Sequence, residues 1–517
     1  MLETVHGVGV LGVEGYIVRV EADVTSGLPS FSTVGLGDSA VREGRDRVAS
    51  AIRNSGYRFP IDRVTVNLAP ADVRKEGAGF DLPIALGLLS ATGQVQSRLL
   101  ERIVVVGELA LDGSTRRVNG VLPMALAAAR AGFGGIIVPS ANGVEAGAVS
   151  SLEVLPAASL AGAVRILEGG PPDIADPIPT TAPLSGGRES LADVRGQEVV
   201  KRALEVAAAG GHNALLIGPP GVGKTMLARR LSAILPRLGE EEAIVATTIH
   251  SVAGLTVRRG LLAERPFRAP HHTVSPAGLV GGGSVPRPGE VSLAHGGVLF
   301  LDELPEFRRD ALEALRQPIE EGRVTITRSM MTVSFPAEFM LVASMNPCPC
   351  GNLGHPSRVC RCAPSAVRRY LSRVSGPLMD RIDIQVHVAP PALDALEGPS
   401  PADDTSAVRG RVLRARRAQL RRAAESGAGT NARVPPRAVL AAARVEGPAM
   451  ALLKQVVAEL GLSARAFHKV VRIARTIADL EGAETVGTAH MGEAVQYRGL
   501  DRLLTGEGQP RLAGRRG

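Results

Sequence analysis

The residues with the clearest chemical meaning form one glycine-rich segment, Gly218-Pro219-Pro220-Gly221-Val222-Gly223-Lys224-Thr225. An apolar run precedes this segment at 214–217, and a helical-looking stretch follows it at 226–234. In this order of strand, glycine loop and helix, backbone N–H groups and a helix N-terminus can surround phosphate oxygens. The side chain of Lys224 would reach the β- and γ-phosphates, and the Thr225 hydroxyl would ligate Mg²⁺. The segment therefore predicts a site for a nucleoside triphosphate, with ATP and Mg²⁺ as the expected ligands.

Two carboxylates follow a second apolar strand further along the chain. The run at 296–301 ends in Asp302 and Glu303. At the C-terminal end of such a strand, Asp302 would hold the water shell of Mg²⁺ beside Thr225. Glu303 lies one residue further and is placed to polarise the water that attacks the γ-phosphate. The pair predicts that the nucleotide is hydrolysed as well as bound.

A third strand, at 339–343, leads into Ser344-Met345-Asn346. A polar side chain at the end of that strand can orient the attacking water against the γ-phosphate. Taken alone, an asparagine after a strand is more often a turn residue. The order of phosphate loop, acidic strand and this strand favours a catalytic role for Asn346.

All four cysteines of the chain fall in one short segment, as Cys348-Pro349-Cys350 and Cys360-Arg361-Cys362. Four thiolates suit a tetrahedral Zn²⁺ ion. The C-x-C spacing is tighter than the commoner C-x₂-C, so free thiols or a redox pair remain alternatives. His355, inside the loop, is a further ligand candidate. The segment predicts a structural zinc site beside the ATPase centre.

The elements that must position these residues predict an α/β protein whose C-terminal unit is a helical lid. Residues 1–168 alternate short apolar strands with helices. Residues 169–190 contain five prolines and four glycines and predict a semi-extended linker. The divisions after it are an ATPase core at 191–390, a basic helical connector at 391–433, a helical lid at 434–504 and a disordered tail at 505–517.

The composition bounds the class of protein. The chain has 517 residues and an apolar fraction of 45%, which suits a soluble protein of about three domains. An uncharged apolar run of roughly 18 residues, as a membrane span requires, does not occur. The start, Met1-Leu2-Glu3, lacks the basic residues of a signal peptide, so we expect a cytoplasmic protein. Four cysteines in so long a chain exclude a disulfide scaffold.

The charge favours a polyanionic partner only modestly. The net charge of +8 suits DNA, but only five of the 59 basic residues are lysine, so the charge reflects an arginine-rich composition throughout. Aromatic residues make up 3%, which argues against a surface of base-stacking platforms. The helix predicted at 405–422 carries arginines around its circumference, and it is either a solvated helix or a DNA contact.

Two stretches of the first unit resemble the proteolytic domain of the Lon family, whose fold is also that of a ribosomal S5-like α+β domain. They run from Lys75 to Asp81 and from Gly107 to Gly132. In that family the first stretch carries a nucleophilic serine and the second the lysine that activates it. Gly79 and Leu122 occupy those two positions, and neither can serve as nucleophile or base. The resemblance implies a scaffold or binding module without peptidase activity.

The order of phosphate loop, acidic strand, Asn346 and then the segment Leu378–Asp383 resembles the AAA+ ATPases. In such proteins the nucleotide lies between subunits, and an arginine of the neighbour stabilises the charge that develops on the γ-phosphate. Arg381 matches the motif that carries this arginine, and Arg373 is the alternative. In AAA+ lids a further arginine reaches the nucleotide from the start of a helix, which assigns that role to Arg465.

Two insertions narrow this resemblance. The stretch Gly254–Glu290 and the alternating hairpin at 323–335 resemble the helix-2 insert and the presensor-1 hairpin of a clade that includes MCM helicases and magnesium chelatase motor subunits. In a hexameric ring such loops point into the pore. The resemblance implies that Arg258, Arg259 and Arg328 contact DNA phosphates. The pair His271-His272, within the insert, is interpreted as polar surface rather than as metal ligands.

Together with the segments 462–480 and 494–502, the whole pattern resembles the ComM/YifB family. This resemblance implies a homohexameric, ATP-driven motor on single-stranded or branched DNA, acting in branch migration when transformed DNA is integrated. A chelatase-type motor subunit that drives metal insertion through a partner is the first alternative. An ATP-dependent protease is opposed by Gly79 and Leu122, which leaves a protein unfoldase as the other alternative.

Overall fold

The structure is a computed structural model of the chain. The residues it describes are 1–35, 39–71, 75, 77–175, 190–255, 260–283, 285–328, 331–390 and 405–498. Four predictions concern residues outside these ranges, namely the DNA contacts at Arg258 and Arg259, most of the linker at 169–190, the first part of the connector at 391–404, and the tail at 505–517. None of the helices within the described ranges has the length and apolarity that crossing a membrane requires.

The N-terminal unit is built on a sheet. Its strands are β1 (Leu2–Leu11), β2 (Glu14–Thr25), β3 (Ser30–Val34), β4 (Arg63–Ala69), β5 (Ile103–Val105), β6 (Glu108–Leu109), β7 (Thr115–Arg116), β8 (Gly135–Pro139) and β9 (Glu153–Ala157). Seven of them form one sheet in the order β3-β4-β2-β1-β5-β8-β9, and β6 pairs with β7. In β4 the buried side chains are Val64, Val66 and Leu68, which is the period-2 pattern of a strand with one face inside.

The helices of this unit cover the sheet. They are α1 (Ser39–Asn54), α2 (Asp81–Ala91), α3 (Val121–Arg130), α4 (Gly143–Ala146) and α5 (Leu160–Leu167). Every residue of α2 is buried, because its sequence is apolar around nearly the whole circumference. This helix packs on β1, β2 and α1 and forms the centre of the unit's core.

The ATPase unit contains a second sheet and two hairpins. Its strands are β10 (Ala214–Ile217), β11 (Phe267–Arg268), β12 (Gly281–Gly282), β13 (Arg287–Pro288), β14 (Val298–Leu301), β15 (Arg323–Arg328), β16 (Met331–Pro336), β17 (Met340–Met345) and β18 (Ile384–His387). Five strands form a parallel sheet in the order β11-β14-β17-β10-β18. Every residue of β10, β14 and β17 is buried, as expected for a parallel sheet covered on both faces. The C-terminal ends of these three strands therefore lie at one edge.

Helices cover both faces of this sheet and continue into the lid. They are α6 (Glu198–Gly210), α7 (Lys224–Ile234), α8 (Glu240–Val252), α9 (Pro276–Val280), α10 (Glu290–Leu293), α11 (Arg309–Ala314), α12 (Arg316–Glu321), α13 (Pro364–Leu371), α14 (Gly376–Met379), α15 (Thr405–Arg421), α16 (Ala423–Ser426), α17 (Pro436–Ala443), α18 (Gly447–Leu460), α19 (Ala464–Glu481) and α20 (Thr488–Gln496). One hydrophobic core contains Leu204 of α6, Val412 of α15 and Ile477 of α19. The lid and the ATPase sheet thus share a core, and the predicted α/β architecture with a helical C-terminus is confirmed.

The predicted hairpin of the ATPase unit is present as β15 and β16. The two strands pair antiparallel from Arg323 opposite Pro336 to Arg328 opposite Met331. Ile326 and Val333 are buried on one face of the hairpin, and the alternate residues are exposed. The alternating pattern fixes this register because a shift by one residue would expose the apolar set.

The N-terminal unit contacts the ATPase unit through α3, α4 and α8. Glu145 of α4 is buried at this contact and accepts hydrogen bonds from the Leu122 amide (3.2 Å), the Arg117 guanidinium (3.0 Å) and the Ser251 hydroxyl of α8. The Gly120 amide donates to the Ser251 carbonyl at 3.1 Å. A buried carboxylate with this many donors ties the two units together.

A second contact between the units lies at the β1–β2 turn. Gly12 has a left-handed backbone (φ +64°), and a Cβ atom there would stand 2.5 Å from Cγ1 of Val333 in the hairpin strand β16. Val13 packs into the same apolar cluster as Val333. The turn therefore lies directly against the hairpin.

The positions that correspond to the Lon-family serine and lysine have apolar surroundings. Leu122 is fully buried in a cluster that includes Val106 and Val118. A Cβ atom on Gly79 would meet the side chains of the same two valines, at 3.9 and 3.4 Å. These positions contribute packing to the N-terminal unit.

Candidate functional site

The glycine-rich segment forms a loop between β10 and α7. Gly221 and Gly223 have φ angles of 82° and 86°, in the left-handed region that favours glycine. A Cβ atom on Gly218 would overlap the carbonyl oxygen of Val388, so only glycine allows this close approach of two backbones. Helix α7 begins at Lys224, directly after the loop. Its N-terminus therefore faces the space that the loop encloses, which is the arrangement that binds phosphate.

The ammonium group of Lys224 is held inside this loop. Nζ donates to the carbonyls of Gly218 (2.7 Å) and Pro219 (2.8 Å) and to Oδ1 of Asn346 (3.0 Å). Burial lowers the pKa of Lys224, and the carboxylates of Asp302 and Glu303 oppose that shift. The three oxygens occupy the contacts that phosphate oxygens would provide, so the loop and Lys224 fit a triphosphate.

The candidate magnesium ligands lie at the adjacent strand end. Thr225 Oγ1 donates to Oδ2 of Asp302 at 2.6 Å, and the Ser344 hydroxyl donates to the other carboxylate oxygen. Strands β14 and β17 pair with Leu301 opposite Ala343, so the next residues of the two strands are neighbours. A hydroxyl and a carboxylate beside a phosphate loop are ligands that Mg²⁺ accepts, so Thr225 and Asp302 fit the ion.

Glu303 has an unusual backbone conformation. Its φ and ψ angles are 55° and 48°, a left-handed conformation that costs a non-glycine residue about 1 kcal/mol. Its side chain is 59% exposed, at the mouth of the site. Strain of this kind is found at functional positions, where the surrounding structure maintains it. The geometry is compatible with a base that meets a water molecule.

His272 was not predicted as a site residue, and its interpretation as polar surface stays a prediction, since its side chain is 32% exposed. Its Nδ1 atom lies 3.8 Å from Oε2 of Glu303, and its ring contacts those of His271 and Phe307. β11 pairs with β14 in parallel, with Arg268 opposite Leu299, so the segments that follow the two strands leave the sheet at the same edge. His272 and Glu303 lie in these two segments.

Tyr370 of α13 is a second residue that sequence reasoning missed. The side chain is buried, with an exposed fraction of 7%, and its hydroxyl is bonded to the backbone of Asn346. Burial raises the pKa of Tyr370 to about 12. The bond from the neutral phenol holds the backbone of Asn346 at the end of β17. It thereby helps to position the Asn346 side chain beside Lys224.

The four cysteines converge on one point between β17 and α13. The Sγ atom of Cys348 lies 3.5 Å from that of Cys350 and 3.6 Å from that of Cys360, and Cys350 and Cys360 are also 3.6 Å apart. All four Sγ atoms, including that of Cys362, lie within 4.8 Å of one another. The amide of Leu353 donates to the Cys348 sulfur at 3.4 Å. Convergent sulfurs with an N–H donor form a candidate metal site.

The three arginines predicted to act on the nucleotide have different environments. Arg381 forms an ion pair with Glu320 and donates to the Pro377 carbonyl, and its side chain is 9% exposed. Arg373 pairs with Glu306 at 2.9 Å, and its side chain is 53% exposed. Arg465 is exposed in the first turn of α19. Their roles in catalysis stay predictions.

The basic candidates for DNA contact also differ. Arg328 lies in the last pair of the β15–β16 hairpin, is exposed, and donates to the Gly283 carbonyl at 3.2 Å. In α15 and just after it, Arg411 pairs with Glu205, Arg416 donates to the Ala208 carbonyl, and Arg422 pairs with Asp479. Arg411 and Arg416 hold this helix to α6, and Arg422 holds the chain after it to α19, so the arginines of this segment are not all available to DNA.

Comparison with known proteins gives three family matches in chain order. The family described as subunit ChlI of Mg-chelatase matches residues 20–142. Magnesium chelatase, subunit ChlI, matches residues 190–396, and the C-terminal region of the same subunit matches residues 402–498. The middle match contains the phosphate loop, the acidic strand and the cysteine cluster. This family consists of AAA+ ATPases, so the chain is an ATPase that uses ATP and Mg²⁺.

Individual proteins are similar over nearly the whole chain. The uncharacterized protein YifB of Salmonella typhimurium is 44% identical over 97% of this chain and 98% of its own length. The competence protein ComM of Haemophilus influenzae is 42% identical, with the same coverage of both chains. Lon protease 2 of Bacillus subtilis is 31% identical over 26% of each chain, which supports the Lon-like nature of the N-terminal unit. The chain belongs to the ComM/YifB family of magnesium-chelatase-like AAA+ ATPases with an N-terminal Lon-like domain.

Proposed function

We propose that this protein is an ATP-driven DNA motor that works in the cytoplasm as a ring of six copies. The observation that carries the motor activity is the hydrogen-bonded set Lys224, Thr225, Asp302 and Asn346 at one edge of the parallel sheet. Lys224 and Thr225 follow β10 and its loop, Asp302 follows β14 and Asn346 follows β17, and the fold brings them together in two hydrogen-bonded pairs. Such preorganisation is what phosphoryl transfer requires of a protein.

The hydrolysis step follows from this arrangement. A Mg²⁺ ion at Thr225 and Asp302 would neutralise charge on the phosphates. Lys224 would exchange the loop carbonyls for γ-phosphate oxygens. Glu303 would accept a proton from the attacking water, and the Asn346 amide would orient that water. Removal of the γ-phosphate would then return Lys224 to the carbonyls of the loop.

Assembly into a ring is supported by Arg381, which matches the AAA+ arginine that acts on a neighbour's nucleotide. In the single chain this guanidinium is engaged with Glu320. We propose that contact between subunits exchanges this ion pair for the neighbour's γ-phosphate, which would make hydrolysis depend on assembly. Arg373, with its exposed side chain, is the alternative arginine.

DNA as the substrate is supported by the exposed arginine at the hairpin end and by the name of one relative, the competence protein ComM of Haemophilus influenzae. In a ring, hairpins from successive subunits would place Arg328 along a central channel, where phosphates are the chemical match for guanidinium groups. The proposed process is branch migration during recombination of incoming DNA in natural transformation. Arg258 and Arg259 are further proposed contacts.

We also propose that the four-cysteine cluster holds Zn²⁺. A tetrahedral ion with Zn–S bonds of about 2.3 Å places its sulfurs roughly 3.8 Å apart. The Sγ distances of 3.5 and 3.6 Å fit that tetrahedron, whereas a disulfide requires sulfurs about 2.05 Å apart. Zinc analysis of the purified protein should give one ion per chain.

A magnesium-chelatase motor subunit is the second candidate function, because the three matched families carry that description. Such a subunit would drive metal insertion through a partner. A protein unfoldase is the third, since the Lon-like domain has Gly79 and Leu122 at the positions of the catalytic pair. Each of the three motors would hydrolyse ATP, so the stimulating polymer distinguishes them.

The test is the ATPase rate of the full chain with single-stranded DNA, forked DNA, an unfolded protein, or no addition. A DNA motor predicts stimulation by DNA that falls steeply between about 50 and 200 mM salt, because phosphate binding releases counterions. A rate that responds to unfolded protein and not to DNA would establish the unfoldase instead. A rate indifferent to both would favour the chelatase-type motor.

A further inference from the structure

The loop that contains the cysteine cluster lies directly on the phosphate loop. Gly351 follows Cys350 and has a left-handed backbone, with φ +77°. A methyl group at this position would overlap the Cδ atom of Pro220, and Cγ of the same ring is the next nearest atom, at 3.2 Å. The backbone of residue 351 therefore packs against the ring of a phosphate-loop residue, with no space for a side chain between them.

The cysteine cluster determines where Gly351 lies. The Gly351 amide donates to the Cys348 carbonyl at 3.0 Å, and Cys350 is its covalent neighbour. Elsewhere the loop buries little apolar surface, since Val359 is 83% exposed and Leu353 is 40% exposed. The described residues between β17 and α13 contain no helix or strand. Convergence of the four sulfurs is thus the main restraint on this segment.

The same cluster is also close in the chain to Asn346, which bonds to Lys224 in the nucleotide site. Asn346 precedes Cys348 by two residues, and its Oδ1 accepts the hydrogen bond from Lys224. Cys348 is fully buried. The cluster therefore contacts the phosphate loop through Gly351 and Pro220. It also restrains Asn346, which accepts the hydrogen bond from Lys224.

We propose that the metal in the four-cysteine site controls the affinity for ATP, by pressing the Gly351 backbone on Pro220 and fixing Asn346 beside Lys224. This inference rests on the proposed zinc site. Loss of the metal would release the segment between Cys350 and Cys360, and the phosphate loop would lose the surface that shapes it. ATP would then bind more weakly, with the protein still folded.

Two glycines of this segment provide a matched pair of variants. Gly351 and Gly354 both have left-handed backbones, with φ of 77° and 76°, but a Cβ atom on Gly354 meets nothing within 4 Å. Substitution of either glycine by alanine imposes the same backbone strain. Only Gly351→Ala adds a collision with Pro220. The difference between the two variants isolates the contact with the phosphate loop.

The experiment measures zinc content and the Kd for a non-hydrolysable Mg·ATP analogue in the full chain. We expect Gly351→Ala to retain its zinc and to bind the analogue about ten-fold more weakly, and Gly354→Ala to remain within about two-fold of the wild type. Equal affinities for the two zinc-loaded variants would overturn the inference, and the zinc site itself would stand.

A second measurement uses the unmodified protein, so that it does not depend on the folding of a variant. Zinc is removed with a chelator, the chelator is washed out, and Mg²⁺ is restored before the analogue is titrated. We expect weaker binding that returns when one equivalent of Zn²⁺ is added. Affinity unchanged by removal overturns the inference. Purified wild type that neither contains nor takes up zinc overturns the zinc proposal, while ATP turnover by that same sample shows that the motor proposal is unaffected.

Discussion

Glu303 combines a left-handed backbone, an exposed carboxylate and a neighbouring imidazole. The position of the candidate site residues around it could be predicted from the sequence, because Asp302 and Asn346 each follow a buried apolar strand and parallel strands end at one edge. His272 could not be predicted, because it lies in a long insert without periodicity. The loop after β11, which is distant in sequence from Glu303, places that histidine 3.8 Å from the carboxylate.

Substitution of Glu303 by glutamine should separate binding from hydrolysis. The amide keeps the shape of the side chain but cannot accept the proton of the attacking water, so we expect turnover to fall by roughly 10²–10³-fold with ATP affinity retained. Single-turnover hydrolysis and equilibrium binding measure the two effects. Glu313→Gln, at a half-buried position of α11 paired with Arg316, is the control and should retain activity. Normal hydrolysis by Glu303→Gln would remove this residue from the mechanism.

Among the secondary-structure elements, the β15–β16 hairpin could be predicted from its sequence pattern, whereas the contacts of the basic helix α15 could not. The alternation at 323–335 gave the strands of the hairpin and their buried face, since period-2 burial depends on the local sequence alone. The pattern of arginines in α15 did not show whether these side chains face solvent, DNA or another helix. Arg411 and Arg422 point to partners on α6 and α19, and those partners are defined only by how the helices pack.

The hairpin supplies a paired test of DNA contact. Arg328 and Arg323 lie at opposite ends of β15, and both side chains are exposed. We expect Arg328→Ala to leave the basal ATPase rate unchanged, to weaken stimulation by DNA, and to reduce the slope of log affinity against log salt by about one. Arg323→Ala, at the base of the hairpin, should change neither value appreciably. A lower basal rate in Arg328→Ala would instead place this arginine in the nucleotide site.

The joint between the lid and the core depends on a buried carboxylate. Asp383 lies 3.1 Å from Nζ of Lys469 on α19 and 3.7 Å from Nδ1 of His212. Burial raises the pKa of Asp383, but the charge of Lys469 and the bond to His212 outweigh it and hold the pKa well below its usual range. Since the unfolded chain binds the proton more tightly, this carboxylate stabilises the fold above about pH 4 and loses that effect as the pH falls further.

Asp383→Asn should therefore lower stability near neutral pH and have a smaller effect in acid. Removing one partner of a buried pair costs about 3–5 kcal/mol, because Lys469 stays buried without its carboxylate. Thermal unfolding at pH 7.5 and at about pH 2, well below the usual pKa of a carboxyl group, would show the difference between variant and wild type becoming smaller. Asp380→Asn changes an exposed residue of the same segment and serves as control. An equal loss of stability at both pH values would contradict the assigned ionisation.

At the scale of the whole molecule, the sequence predicted the order of the units and not their contact. The buried carboxylate of Glu145 accepts a hydrogen bond from the Ser251 hydroxyl of the other unit, and neither residue belongs to a periodic pattern or a known motif. Contacts between units carry no short-range signal in the sequence. The proposed assembly into a ring also belongs to this scale, and activity measurements can test it without imaging.

Mixed rings should reveal whether Arg381 acts on a neighbouring subunit. We expect Arg381→Ala and Lys224→Ala each to reduce turnover by about 10³-fold or more on its own. Mixing the two inactive proteins should restore part of the activity, because some interfaces then combine an intact Lys224 with an intact Arg381 from the next subunit. Absence of any recovery would show that both residues act within one chain. Arg373→Ala, tested alongside, should remain active if Arg381 is the arginine supplied in trans.

The contact between Gly12 and Val333 restricts how far the hairpin can move toward the N-terminal unit. The β1–β2 turn lies at van der Waals distance from the strand that leads away from Arg328, and that gap cannot take even a methyl group. Movement of the hairpin toward the N-terminal unit would require the turn or the Val333 side chain to shift, whereas movement away from it would not. We expect the Lon-like unit to limit the movement of the hairpin on that side, so a fold that serves as a peptidase in Lon proteins would here act as a stop.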